Sequence, residues 1–224
     1  MQESFEDDGE IDLELFLKVI ESDQLELDAM FEKMDVLLAI RDALSRFHDN
    51  LFQIERLLTK PDLEIENFLL GHFYSAAVGA YEVFMRDLIF SLIEHNQSYE
   101  RLKDALSLKI NNEIFINIPK LKEFKENPSK NTLREKIYKT TFIDAQKVTK
   151  SIGVWIGFEI AVLEASDIVT SKRNIFTHNG GIRIDGSVET IAVDDVLGLI
   201  ENLDKNIATA AVVIACKIEN LKTH

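Results

Sequence analysis

The residues best suited to chemistry lie together in one short segment, 171–181. Arg173 supplies a fixed positive charge, Asn174 an amide, and His178 an imidazole, a group type suited to proton transfer. Asn174 and His178 are four residues apart and would share one face of a helix. Arg173 and His178 are five residues apart, about 140° around a regular helix, so direct contact needs a distorted last turn or a second chain. A fixed cation beside a titratable imidazole could bind phosphate and transfer protons.

The elements that must position these groups are predicted to be helices. Three prolines and nine glycines in 224 residues leave few breaks, and 46% apolar residues suffice for a core. Apolar residues recur every three to four positions along most of the chain, which is typical of amphipathic helices. The predicted helices are 12–21, 25–59, 64–96, 154–177 and 193–221, with shorter ones at 98–107 and 132–139.

The predicted fold class is all-α, an up-and-down helical bundle with additional N-terminal helices. Residues 1–10 are predicted to form an acidic disordered tail, and residues 11–224 a single helical domain. Residues 108–150 read as a basic insertion within that bundle, with Ile114–Ile118 extended. The small residues Ala76, Ala77, Gly79 and Ala80 would let another helix approach the second long helix closely.

The end of the helix that holds the chemical residues is marked by His178-Asn179-Gly180-Gly181. Glycine and asparagine readily take the left-handed conformation that closes a helix. Residues 182–191 then alternate apolar and polar side chains around Asp185-Gly186, which predicts a small hairpin before the last helix.

The charge of the chain is −14, which at first argues against nucleic acid, whose phosphates favour basic partners. The charge is unevenly spread, however. Residues 1–70 hold 6 basic and 19 acidic side chains, whereas residues 101–150 hold 12 basic and 6 acidic ones. An RNA backbone could therefore contact the basic segment, with Lys120, Lys122 and Lys125 as candidate ligands. The alternative is that these charges belong only to solvated helix faces.

The cysteine content and the first residues of the chain suggest a cytoplasmic protein. The single cysteine, Cys216, cannot form an internal disulfide, and the acidic start at residues 1–8 is unlike a signal peptide. The longest apolar stretch, near 207–216, is too short to span a bilayer, so no membrane partner is expected. Five scattered histidines offer no zinc spacing, and no metal or other cofactor is expected.

The chemical segment resembles the motif of the HEPN superfamily, with the closest likeness to its RiboL-PSP type. The resemblance rests on Arg173-Asn174-x-x-x-His178 followed by Asn179-Gly180-Gly181, at the end of the penultimate long helix. The segment from Phe73 to Phe84 also resembles an early core helix of that family. The likeness covers roughly residues 64–97 and 153–222.

The resemblance implies a metal-independent endoribonuclease that works as a homodimer, with the motif helices of two chains meeting at one site. Arg173 would stabilise the phosphorane charge, His178 would transfer protons, and Asn174 would orient the phosphate or the histidine. RNA would be cleaved by attack of its 2′-hydroxyl, leaving 2′,3′-cyclic phosphate and 5′-hydroxyl ends. Lys172 and Arg183 flank the motif as candidate phosphate ligands. Such a protein could be a toxin or defence effector with an antitoxin protein as partner.

Several alternatives stay open at this point. Glu82 could orient Arg173, although an ion pair with Arg86 on its own helix is the simpler expectation. Arg173 could merely pair with a buried carboxylate, while His178 bonds the last carbonyls of its helix. The chain could then be a non-catalytic HEPN module that binds nucleotide, RNA or a partner protein. It could also be an interaction protein unrelated to that family.

A second arginine–histidine pair shows how little such a spacing means alone. Arg41 and His48 lie in the middle of the first predicted long helix. They are interpreted as solvated residues without a role in chemistry.

Overall fold

The computed structural model describes residues 13–60, 65–96, 99–100, 129–138 and 166–220. These ranges contain no strand, so the predicted all-α class is confirmed. The predicted tail at 1–10, the extended stretch at 114–118 and the lysines Lys120, Lys122 and Lys125 lie outside the described residues. The helices are α1 (Leu13–Leu58), α2 (Asn67–Glu94), α3 (Lys130–Tyr138), α4 (Ser166–Asn179) and α5 (Val193–Glu219).

The helix α1 is continuous over 46 residues. The predicted break between a short helix at 12–21 and a long one from 25 is therefore wrong. Ser22, Asp23 and Gln24 separate two apolar stretches, but none is a glycine or proline, so the backbone hydrogen bonds continue through them. The predicted end of the long helix is confirmed, because α1 stops at Leu58, just before Pro61.

The core lies where α1, α2 and α5 pack together. Apolar side chains at three- to four-residue spacing face inward from each of these helices, and the rings of Phe47 and Phe84 meet at 5.8 Å. The helix α2 contacts each of the other four described helices, which explains why its buried residues cover more than one face. The buried stripe of α1 begins only at Val36 and comprises Val36, Ile40, Ala43, Phe47, Leu51, Ile54 and Leu58.

The position of α4 on α2 depends on one close approach. A Cβ atom added to Gly71 would lie 1.9 Å from Cδ1 of Phe176, so only glycine leaves room for that buried ring. A close approach of another helix was also predicted further along α2, at Ala76, Ala77, Gly79 and Ala80, and of these Ala77 and Ala80 are buried. Gly79 has no atom within 4 Å of such a Cβ position, so it is not the contact point.

The chain leaves α4 through two glycines in the left-handed region, as predicted. Gly180 has φ 59° and Gly181 has φ 86°. The amide of Gly181 donates to the carbonyl of Ile175 at 3.1 Å, which closes the helix. The predicted hairpin is reduced to a single antiparallel bridge between Ile182 and Val188. No described helix has both the length and the apolar character needed to cross a bilayer.

Candidate functional site

The side chain of Arg173 faces α2 and not the solvent. Its Nη2 lies 3.3 Å from Oε2 of Glu82, and its Nη1 donates to Oδ1 of Asn174 at 2.9 Å. The side chains of Arg173 and Glu82 are only 16% and 12% exposed. Ser75 adds a weak hydrogen bond from its hydroxyl to the Arg173 carbonyl, at 3.5 Å. The guanidinium is thus held at the α2–α4 interface by groups from both helices.

Glu82 is an incompletely satisfied carboxylate. Its Oε1 is buried and has no hydrogen-bond partner among the described residues, and the same holds for Nε of Arg86 one turn along α2. Burial raises the pKa of Glu82, and the charges of Arg173 and Arg86 oppose that rise without cancelling it. The ion pair of Glu82 is with Arg173 across the interface, as the orienting hypothesis requires, and not with Arg86 on its own helix.

A groove of about 610 Å³ opens at the C-terminal end of α4. Asn174, His178 and Arg183 line it, together with Ser171, Ile175, Asn179, Ile184 and Asp185. The structure therefore brings three of the predicted site residues together and leaves Arg173 outside their groove. The imidazole of His178 is exposed and makes no hydrogen bond to another described residue.

Asn174 connects the buried arginine to the groove. Its side-chain oxygen accepts from Arg173, while the same residue lines the groove beside His178. Since the amide oxygen is occupied by the guanidinium, the amide N–H groups are directed elsewhere and can donate to an acceptor such as a phosphate oxygen. Glu82, Arg173 and Asn174 form a line of contacts from the interior of the protein to the groove.

Arg183 is the arginine that lies in the groove itself. Its Nε donates to Oε2 of the buried Glu189 at 2.5 Å, and its Nη2 contacts the same oxygen. Glu189 is held in turn by Asn67 at the start of α2, whose amide donates to the Glu189 carbonyl and accepts from the amide of Ile191, both at 2.8 Å. Half of the Arg183 side chain stays exposed, so its remaining N–H groups can bind an anion.

The groove-supporting residues Asn67 and Glu189 were not singled out from the sequence. Asn67 opens α2, 122 residues before Glu189, and nothing local links the two. The alternation that predicted a hairpin at 182–191 was the only available signal. It places Glu189 after the turn but does not show that its side chain returns to Arg183.

Lys172 is not among the residues that line the groove. The Nζ of Lys172 is 3.9 Å from Asp195 of α5 and 5.7 Å from the centre of the Tyr74 ring. Burial, aided by Asp195 and Glu189, raises the pKa of Tyr74 to about 12.

The second pair is solvated, as interpreted from the sequence. Arg41 contacts the neighbouring Asp42, and Nε2 of His48 lies 2.8 Å from Asp204, with all four side chains largely exposed. Arg41 and His48 have separate partners and do not form a common site.

Comparison of the chain with known protein families, with curated proteins and with solved structures gives no match. In the described residues, no group of three or more histidine, cysteine, aspartate or glutamate side chains is placed to hold a metal ion.

Proposed function

We propose that this protein is an endoribonuclease of the HEPN type that cleaves RNA at a site shared by two chains. The observation that carries the proposal is the groove at the end of α4. An exposed imidazole, an oriented amide and an anchored arginine face one cavity there. These are the group types that a phosphodiester needs for binding and for proton transfer.

The reaction requires three events at one phosphate. The 2′-hydroxyl loses its proton and attacks phosphorus, the bond from phosphorus to the 5′-oxygen breaks, and that oxygen receives a proton. His178 transfers protons in the groove, while Asn174 and Arg183 bind the non-bridging oxygens. The products carry a 2′,3′-cyclic phosphate and a 5′-hydroxyl, so the protons and electrons balance without a redox step.

The homodimer is proposed on the resemblance of the motif and not on the location of Arg173, because Glu82 of the same chain holds that guanidinium against α2. Within one chain Arg173 reaches the groove only through Asn174, and Arg173 and His178 do not face each other. A single chain therefore holds the motif residues on different sides of α4. A two-fold axis beside α4 would place the motif segments of both chains, residues 171–181, in one cleft.

The shared site is tested by mixing two inactive chains. Arg173→Ala and His178→Ala chains are each purified, mixed under conditions that exchange subunits, and assayed for RNA cleavage in excess chelator. If one cleft needs Arg173 from one chain and His178 from the other, the mixture regains activity that neither parent has. A mixture as inactive as its parents, despite demonstrated exchange, contradicts a shared site.

A non-catalytic RNA-binding or dimerisation module is the second candidate. The buried pair of Arg173 and Glu82 favours it, because such a pair can have a purely structural role. The two candidates differ in one outcome. The module binds RNA through Arg183 but leaves it intact, and its His178→Ala variant behaves like the unmodified protein.

The proposed biological setting is a toxin or defence effector controlled by an antitoxin protein. In that setting the basic segment 101–150 supports the RNA backbone, with Lys120, Lys122 and Lys125 as contacts. These roles follow from the charge distribution and from the resemblance of the motif.

A further inference from the structure

The N-terminal half of α1 projects beyond the helix it packs on. The two helices run antiparallel, since Arg46 pairs with Asp87 while Glu32 accepts from the backbone amide of Asn96, just past the end of α2. About 19 residues of α1 precede Glu32, which at about 1.5 Å per residue is an overhang of about 28 Å.

This part of α1 carries an exposed apolar seam with heptad spacing. Successive seam positions alternate by four and three residues, and seven of the eight are apolar. All seven apolar residues are 40–70% exposed. The seam consists of Leu13, Leu17, Ile20, Gln24, Leu27, Phe31, Met34 and Leu38.

The seam faces away from α2 and α5. At about 100° per residue, it lies on the opposite side of α1 from the buried stripe that begins at Val36 and Ile40. The helix cannot present both stripes to α2 and α5 at once, so neither of these helices covers the seam. An exposed apolar surface of this length marks an interaction site in most proteins.

The charges beside the seam indicate which molecule it is. The positions that follow the seam residues Leu13, Ile20, Leu27 and Met34 are all acidic: Glu14, Glu21, Asp28 and Asp35. If a second copy of the arm bound antiparallel, the acidic positions of the two chains would face each other. If it bound parallel, Asp23 of one chain would face Asp28 of the other. Both arrangements place carboxylates together, and their charges repel. Anionic lipid surfaces are disfavoured for the same reason.

We propose that the acidic arm, residues 13–38 of α1, binds an amphipathic helix of another protein whose apolar seam is flanked by lysine or arginine. The two helices form a two-stranded coiled coil, in which the basic side chains face the acidic flank. The arm lies at the end of α2, whereas the groove of His178 lies near its start, where Phe176 meets Gly71. The inference therefore does not depend on the ribonuclease proposal.

The test uses two synthetic helical peptides of four heptads with leucine seams. One has lysine at the flanking positions, and its matched control has glutamate there. Binding to the full chain is followed by fluorescence anisotropy at several salt concentrations. We expect the lysine peptide to bind more tightly than the glutamate peptide by at least about tenfold, with a difference that shrinks as salt rises.

Variants of the arm separate docking from charge attraction alone. The double variant Leu17→Asp, Phe31→Asp should weaken the lysine peptide by at least about tenfold, because it removes two anchors from the seam. The two new aspartates also make the chain more acidic. If charge attraction alone held the lysine peptide, this variant would bind it more tightly. The control Val212→Asp, at an exposed site on α5, should bind like the unmodified chain.

Three results would overturn the proposal. They are equal binding of both peptides, binding of neither, and sedimentation showing that the chain dimerises through Leu17 and Phe31. The last would identify a second copy as the occupant of the arm. Circular dichroism of each variant checks that the exposed substitutions leave the helices intact.

Discussion

Arg173 and Glu82 are 91 residues apart in sequence, and their side chains meet at 3.3 Å between α4 and α2. The contact is a partly buried ion pair in which one carboxylate oxygen has no hydrogen-bond partner among the described residues. The raised pKa of Glu82 means that the loss of hydration outweighs the attraction of both arginines. The pair thus holds Arg173 in position without being an efficient source of stability.

The pH dependence of unfolding should reveal this imbalance. Because the pKa of Glu82 is raised in the folded state, its contribution to stability is fully present below the ordinary glutamate pKa of about 4.3. That contribution is lost as the pH rises through the folded-state pKa. The free energy of unfolding of the unmodified chain should therefore fall relative to that of Glu82→Gln between pH 4 and neutrality, as measured by urea unfolding.

The matched control is Glu201→Gln, an exposed carboxylate on α5. The difference in the free energy of unfolding between Glu201→Gln and the unmodified chain should vary less with pH than the corresponding difference for Glu82→Gln. If the stability of the unmodified chain rises with pH relative to Glu82→Gln, attraction by Arg173 outweighs the loss of hydration and the assignment of causes is wrong.

The contact of Gly71 with Phe176 gives a prediction about packing. In Gly71→Ala the new methyl would overlap a ring that is 2% exposed and has little room to move, so we expect a loss of about 1–3 kcal/mol. Gly79→Ala, on the same helix, meets no atom within 4 Å and should gain about 0.5–1 kcal/mol from helix propensity. Thermal and urea unfolding of both variants measure the contrast, and similar effects at the two sites would contradict this packing.

Arg183 should dominate the binding of phosphate in the groove. Arg183→Ala should weaken RNA binding and lower its salt dependence, because one phosphate contact fewer means that fewer counterions are released on binding. Arg183→Lys should restore only part of the affinity, since an ammonium lacks the forked geometry. The control is Arg41→Ala, an exposed arginine on α1, which should leave affinity unchanged. Filter binding at several salt concentrations measures the affinity and its salt dependence for each variant. Equal losses of affinity in Arg183→Ala and Arg41→Ala would show that the groove is not the RNA site.

The sequence predicted more of the fold than of the site. Periodic apolar residues predicted the long helices, and the two glycines predicted the end of α4, because both signals are local. The sequence predicted two helices where the structure has the single helix α1. The apolar pattern weakens over Ser22-Asp23-Gln24, but the backbone hydrogen bonds of the helix continue through these residues. Local patterns describe side chains, whereas a helix ends only where its hydrogen bonds do.

Contacts between distant segments were the part that the sequence could not supply. The shared face of Asn174 and His178 follows from their spacing, and both line the groove. The return of Glu189 to Arg183, and the support of that segment by Asn67, depend on how α2 meets the loop after α4. The contact of Arg183 with Glu189 spans only six residues, whereas Asn67 supports that segment from 122 residues away.

The most direct test of the central claim is the rate of RNA cleavage in excess chelator by the unmodified chain and by His178→Ala. We predict cleavage of RNA but not of DNA, which lacks the attacking 2′-hydroxyl, with 2′,3′-cyclic phosphate ends. His178→Ala should lower the rate by about 10²–10⁴-fold, as expected for the loss of a proton-transfer group, whereas His48→Ala, on α1, should not. Cleavage that survives His178→Ala, or that requires an added divalent metal, would contradict the account.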